Sequence, residues 1–268
     1  MSTVETICLV GWGAIGQRVA ALLKARGAGA RIAGIAVRDP KEVEGTMPDG
    51  AVHLASPEAL AATGATLVVE AASRESVLPY ARAALAAGMD FAVTSTSALV
   101  DVSVLDELVE LARRNGRKLI IPPGALGGID ALSAASRLGL DSVEHVITKP
   151  ARAWIGTQAE QLCRLTELQE AETFFEGTAA EAATAFPQNA NVAATTSLAG
   201  IGMQRTRVRL VADPRAVENM HCIQAKGPFG TFEIRLQNRP LATNPKSSEM
   251  TALNLVRLIE NRSSALVV

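Results

Sequence analysis

The sequence is poor in aromatic side chains, in cysteine and in histidine. Aromatics make up 3% of its 268 residues against 48% hydrophobic residues in all, so a core has to be built mainly from Ala, Val, Leu and Ile. That argues against a sandwich organised on aromatic residues and suits a doubly wound α/β protein. The three cysteines, Cys8, Cys163 and Cys222, are scattered and odd in number, and none forms the C-x-x-C pair of a metal site. An excess of either charge is missing too. With 26 basic and 27 acidic residues the net charge is −1, so no bulk field draws the chain to nucleic acid or to an anionic membrane. Any anionic ligand must be caught by local donors. No apolar run is long enough to span a bilayer, and residues 1–6 carry no basic leader. The expectation is a soluble, reduced, cytoplasmic protein of one large or two modest domains, without repeats or low-complexity tracts.

What is present begins with glycine. The apolar run Ile7-Cys8-Leu9-Val10 stops at Gly11-Trp12-Gly13 and resumes at Val19-Ala20-Ala21-Leu22-Leu23 with helical spacing. This reads as strand, tight turn and helix. Gly11 makes the turn, Gly13 lets a pyrophosphate approach the backbone, and Gly16 lets helix pack on strand. Ala14 and Ile15 begin the helix, whose free N–H groups and dipole favour phosphate. A second strand over residues 31–37 ends at Arg38-Asp39-Pro40, where the adenosine ribose should lie. An acidic residue there binds a free 2′-hydroxyl, and an arginine accommodates a 2′-phosphate. Arg38 leads the pair, so NADP acceptance is expected alongside NAD, unless Arg38 is an ordinary solvated residue before the proline turn.

Strands over residues 65–72, 90–95 and 118–123 alternate with helices over 77–87 and 104–112. The first five strands should make one parallel sheet with ligand at its carboxyl ends. Glu70-Ala71-Ala72-Ser73 and Thr94-Ser95-Thr96-Ser97 are two such ends, either a loop floor under the cofactor, including Ala72, or helix caps. His53 falls in a loop. From Pro123 the pattern changes. A second glycine loop, Gly124-Ala125-Leu126-Gly127-Gly128, opens a helix, and its amides could hold a carboxylate or a carboxamide. Partly alternating runs at 142–149, 208–212, 217–226 and 230–237 suggest a mainly antiparallel sheet. Residues 157–204, rich in Ala and Thr, are expected to be mostly helix with a break at Phe186-Pro187. A last helix over 246–259 should return to the first domain. The division expected is 1–125, 126–243 and 244–268.

The chain has three histidines. His145, early in an apolar strand, reads as structural. His221 shares a strand face with Asn219, and imidazole can polarise a carbonyl or activate water. Spacing alone leaves a satisfied core histidine and a catalytic one equally open.

Several motifs together resemble the L-aspartate dehydrogenase family. They are Gly11-Trp12-Gly13-Ala14-Ile15-Gly16, Pro123-Gly124-Ala125-Leu126-Gly127-Gly128-Ile129-Asp130-Ala131-Leu132 and Phe186-Pro187-Gln188-Asn189-Ala190-Asn191-Val192-Ala193-Ala194. Asn219-Met220-His221, Gly227-Pro228-Phe229-Gly230 and Asn244-Pro245-Lys246-Ser247-Ser248 follow in the family's order. The resemblance implies an N-terminal Rossmann domain plus a catalytic α/β domain, commonly dimeric; from the residues themselves no metal is expected. It implies His221 as the catalytic histidine, and Ala125 and Asn191 as nicotinamide contacts. The implied reaction is reversible: L-aspartate, NAD(P)⁺ and water give oxaloacetate, ammonia and NAD(P)H through iminoaspartate, a product that could feed NAD biosynthesis. Gly127, Gly128, Lys149, Lys246 and Ser247 are the candidate donors for the dicarboxylate, with Asn189 and Asn219 as further polar groups. Where some relatives have an acidic ribose partner this chain has Arg38. Two other readings stand beside this one. One is a related reductase, of the dihydrodipicolinate reductase or homoserine dehydrogenase kind. The other is a non-enzymatic NADP-binding sensor.

Overall fold

The computed structural model describes residues 4–268, apart from the side chains of Gln188, Pro245 and Lys246. The chain divides into two compact units. The first runs to Gly124 and takes in Thr251–Val268, and the second is Ala125–Met250.

In the first unit β1 (Glu5–Val10) leads into α1 (Ala14–Arg26) and β2 (Ala30–Ala36), followed by β3 (Val52–Leu54) and β4 (Leu67–Glu70). Then come α2 (Arg74–Ala86), β5 (Asp90–Val93), α3 (Val102–Arg114) and β6 (Leu119–Ile120). All strand pairs are parallel, in the order β3-β2-β1-β4-β5-β6. The order reverses at β1, which places a ligand crevice beyond the carboxyl ends of β1 and β4. The sheet therefore has a sixth strand that the sequence pattern does not suggest. His53, expected in a loop, lies in β3 opposite Ile35, in a strand too short to show alternation. The last strand is shorter than expected, because Pro122 and Pro123 have no N–H to give to a ladder.

The second unit contains α4 (Ile129–Ala135), β7 (Ser142–Pro150), α5 (Ala159–Leu162), β8 (Glu172–Thr178), α6 (Ala179–Ala185) and α7 (Ala190–Ala199). β9 (Arg207–Asp213), β10 (Asn219–Gly227) and β11 (Gly230–Asn238) complete a sheet ordered β11-β10-β7-β9-β8. Only β7 and β9 run parallel; the other pairs are antiparallel. β12 (Pro240–Leu241) and β13 (Asn244–Ser248) form a separate two-stranded sheet. The expectation of mostly helix over 157–204 fails at β8. Its run Glu-Thr-Phe-Phe-Glu-Gly-Thr is edge strand, half-exposed along most of its length and so without a clean apolar face. One face of the large sheet is covered by helices and carries Val143, His145 and Ile147 from β7, Val208 and Leu210 from β9, and His221 and Ile223 from β10. All of these are buried. Few as they are, aromatics gather here: the Trp154 and Phe174 ring centroids are 4.8 Å apart and edge-on.

Helix α8 (Glu249–Asn261) begins three residues later than the sequence pattern suggests, since residues 244–248 pair as β13. Its stripe Ala252, Leu255, Val256 and Ile259 joins Ile7, Leu9, Val19 and Leu23 in one apolar cluster of the first unit. Beyond it, Arg262 holds Glu5 at 2.6 Å and Asp90 at 2.7 Å, tying the chain end to β1 and β5. No helix among the described residues is long and apolar enough to cross a membrane.

Candidate active site

In the first unit a cleft of about 500 Å³ opens at the carboxyl ends of β1, β2 and β4. Gly11, Gly13, Arg38, Ala72, Ser73 and Tyr80 help to line it. The three motif glycines differ in what surrounds them. Gly11 has φ +100°, and a Cβ there would lie 2.7 Å from the Ala71 carbonyl oxygen. At Gly16 a Cβ would sit 2.4 Å from the Gly11 carbonyl oxygen. Around Gly13 no heavy atom lies within 4 Å of the Cβ position. The protein itself thus requires glycine at 11 and 16 but not at 13. Gly13 is also the N-cap of α1 and supplies no side-chain cap to the first-turn amides, where Ala14 and Ile15 begin the helix. Open space beside uncapped amides fits a dinucleotide pyrophosphate.

At the ribose end, the Asp39 carboxylate accepts from Lys41 N–H at 3.0 Å and caps the turn that follows. Arg38 is exposed along the cleft, with Glu75 near enough to feel its charge. The ambiguous pair therefore separates into a capping aspartate and a cleft-lining arginine.

The cleft floor is held by Glu70, which is fully buried. Its Oε1 accepts from Ala72 N–H at 2.8 Å and the Ser95 hydroxyl at 2.8 Å; Oε2 accepts from Ser95 N–H at 2.9 Å and Thr94 N–H at 3.2 Å. Burial pushes the carboxyl upward, and these donors oppose the shift. The two strand ends seen in the sequence are thus joined through one carboxylate, which fixes the loop that carries Ala72.

In the second unit the antiparallel register of β10 and β7 sets His221 opposite Ile147 and Ile223 opposite His145. Alternation puts His145 and Lys149 on the helix-covered face of β7, and Asn219 and His221 on the same face of β10. His221 Nδ1 lies 3.1 Å from His145 Nε2, and His145 Nδ1 lies 3.0 Å from Thr196 Oγ1 on α7. Nothing in the sequence singles out Thr196, and His145 reads there as structural. The signal was a histidine on the same sheet face as His221, which spacing cannot show without the register.

Burial, aided by the nearby Lys149 cation, lowers the His221 pKa to about 4. Burial also lowers Lys149, to about 8. Among the described residues Lys149 has no carboxylate partner, and its Nζ sits 5.0 Å from the Trp154 ring centroid. A neutral imidazole sharing a sheet face with an ammonium that has no carboxylate partner among the described residues can hold an anion and exchange a proton.

The remaining candidates surround this pair to different degrees. Gly127 and Gly128 approach β11: their Cβ positions lie 3.2 Å from Leu236 Cδ2 and 2.1 Å from Ile234 Cδ1. Leu236 is the register partner of His221. The Ala125 carbonyl accepts from Asn238 Nδ2 at 2.7 Å. Asn189 is buried just before α7, and Asn191 is exposed on its first turn. Ser247 lies in β13, outside the large sheet, and the Lys246 side chain lies outside the described residues.

Comparison with known proteins agrees with both halves. Residues 11–122 match the family described as "Homoserine dehydrogenase, NAD binding domain", and residues 130–262 match "Aspartate dehydrogenase, C-terminal". The chain is 63% identical to an L-aspartate dehydrogenase of Brucella anthropi, with all of both chains covered. It is 43% identical to one of Cupriavidus taiwanensis, covering 98% of this chain and 99% of that one. The crystal structure of an aspartate dehydrogenase from Thermotoga maritima superposes with a TM-score of 0.77 at 25% identity, covering 98% and 99% of the two chains. On these matches the chain belongs to the L-aspartate dehydrogenase family.

Proposed function

We propose that this chain catalyses the NAD(P)-dependent, reversible oxidative deamination of L-aspartate to oxaloacetate and ammonia. Beyond the family membership, one observation carries the reading: a buried neutral His221 shares its sheet face with Lys149, a cation without a carboxylate partner among the described residues. When bound, the nicotinamide cofactor supplies the hydride chemistry at Cα of the amino acid. Gly11, Gly13, Ala14, Ile15, Gly16 and Ala72 would hold it, with Arg38 admitting a 2′-phosphate and Ala125 and Asn191 contacting the nicotinamide.

The Lys149 ammonium anchors one substrate carboxylate, and Gly127, Gly128, Asn189, Asn219, Lys246 and Ser247 are the candidate donors for the rest. His221 handles the protons of imine hydrolysis. It takes a proton from the water that adds to the imine carbon and returns it to the departing nitrogen. With a pKa of about 4 the imidazole by itself is a weak base. An entering dicarboxylate offsets the Lys149 charge and adds negative charge of its own, which raises the His221 pKa toward neutral pH. The family resemblance further supports a cytoplasmic homodimer.

The roles separate kinetically. His221→Ala should lower kcat by roughly a hundredfold or more. Lys149→Ala should act mainly on KM for aspartate, because its charge meets ground state and transition state alike. A loss under about threefold in the folded His221 variant would remove the acid–base role.

A further inference from the structure

The line of hydrogen bonds behind His221 has one consistent direction, and the tautomer of His221 follows from it. Thr196 Oγ1 lies 3.0 Å from the Val192 carbonyl oxygen and 3.0 Å from His145 Nδ1. A hydroxyl has one proton, and a carbonyl oxygen has none to give. Two oxygens at that separation attract only with a proton between them. The Thr196 proton is therefore spent on the carbonyl four residues back in α7. Thr196 Oγ1 must then accept, so His145 carries its proton on Nδ1.

A neutral His145 protonated at Nδ1 has a bare Nε2, and that atom faces His221 Nδ1 at 3.1 Å. His221 must therefore donate from Nδ1, which leaves Nε2 as its free lone pair. Neutrality of both rings comes from their surroundings: His145 is wholly buried and His221 is 5% exposed. Burial holds His145 well below the ordinary imidazole value, as it does His221. Among the described residues, His221 bears on His145 and the Lys149 cation bears on His221.

We propose that His145 and Thr196 are positioning residues that lock His221 in the Nδ1–H tautomer, presenting Nε2 as the proton acceptor of the reaction. The proposal rests on the acid–base reading of His221 given above. The wire ends on a backbone carbonyl rather than a carboxylate. It therefore orients the ring without making the imidazolium a deep proton sink, and a proton taken from water remains easy to return to the amine.

The test uses the full chain with ¹⁵N-labelled histidine, in which there are only three imidazoles to assign. Two-bond ¹H–¹⁵N spectra report which nitrogen of each neutral ring carries hydrogen. Wild type and Thr196→Ser, which keeps the hydroxyl, should both show His221 protonated at Nδ1 and bare at Nε2. Thr196→Val keeps the shape of the side chain but releases the direction of the wire. It should bring up the Nε2–H form of His221 and lower kcat about tenfold, with KM for aspartate moving less than about twofold. His221 protonated at Nε2 in wild type would overturn the proposal, as would a Thr196→Val enzyme with the wild-type tautomer. Because the tautomer is read without turnover, these results stand apart from the His221→Ala test. A correct tautomer with an active His221→Ala would retire the acid–base reading and, with it, the catalytic purpose assigned to the wire.

Discussion

Gly13→Ala should separate the fold from the cofactor. Gly13 sits at φ −76°, ψ −166°, which alanine adopts freely, and the Cβ position has no neighbour within 4 Å. Restricting the unfolded chain stabilises by about 0.4–1 kcal/mol, and replacing glycine by alanine at an N-cap costs a similar amount. The net change in folding stability should stay within about 1 kcal/mol. Binding responds differently, because the methyl group fills the space through which a pyrophosphate would reach the α1 amides. Each charge-assisted hydrogen bond lost is worth about 1.5–3 kcal/mol, so Kd for NADPH and NADH should rise by about ten- to a hundredfold per bond. Gly16→Ala is the counterpart. Its Cβ would lie 2.4 Å from the Gly11 carbonyl oxygen, backbone against backbone, and should cost about 1–3 kcal/mol of stability or more. Urea unfolding and fluorescence titration with each reduced cofactor measure both quantities. A Gly13→Ala protein that binds both cofactors as wild type does would refute the placement of the phosphates.

Two further outcomes follow from buried charge. In Glu70→Gln the amide oxygen can replace Oε2, but its NH₂ then faces the Ala72 N–H that Oε1 accepts at 2.8 Å. Urea unfolding should show a loss of about 2–4 kcal/mol, and wild-type stability would refute the carboxylate's role in fixing the loop. His221 should also make the protein acid-sensitive. Its folded pKa is about 4, below an unfolded value near 6.5, so between these values the unfolded chain binds more protons and stability falls as pH falls. Between pH 7 and pH 4 wild type should lose up to about 3 kcal/mol more than His221→Asn, measured by urea midpoints at each pH; parallel profiles would contradict the buried neutral ring.

Where the sequence was legible, one local rule was enough. The turn at Gly11 and Gly13 could be read because glycine at fixed offsets between an apolar run and a helical stripe has few other causes. The central parallel strands could be read because burial on both faces makes them continuous apolar runs, as in Leu67–Glu70. β3 and β8 were not legible: one is three residues long and the other is a half-exposed edge. Among the candidate site residues, residue type marks out His221, whereas Lys149 is one candidate donor among several and reads equally well as a solvated strand end. Their relation to His145 and Thr196 depends on the register of β10 against β7 and on the helix laid across that face, and no spacing in the chain encodes either. Glu70 was visible as a strand end, but its bonds to Thr94 and Ser95 exist only once β4 and β5 are neighbours.

The central claim, that this site interconverts aspartate and oxaloacetate with a nicotinamide cofactor, is tested most directly by following NADPH and NADH absorbance with oxaloacetate and ammonium, each omitted in turn. Oxidation that requires both substrates is predicted, with NADPH used at a rate at least comparable to NADH because Arg38, and not its neighbour Asp39, lines the cleft after β2. Cofactor binding without oxidation, or oxidation that proceeds without ammonium, would contradict the account.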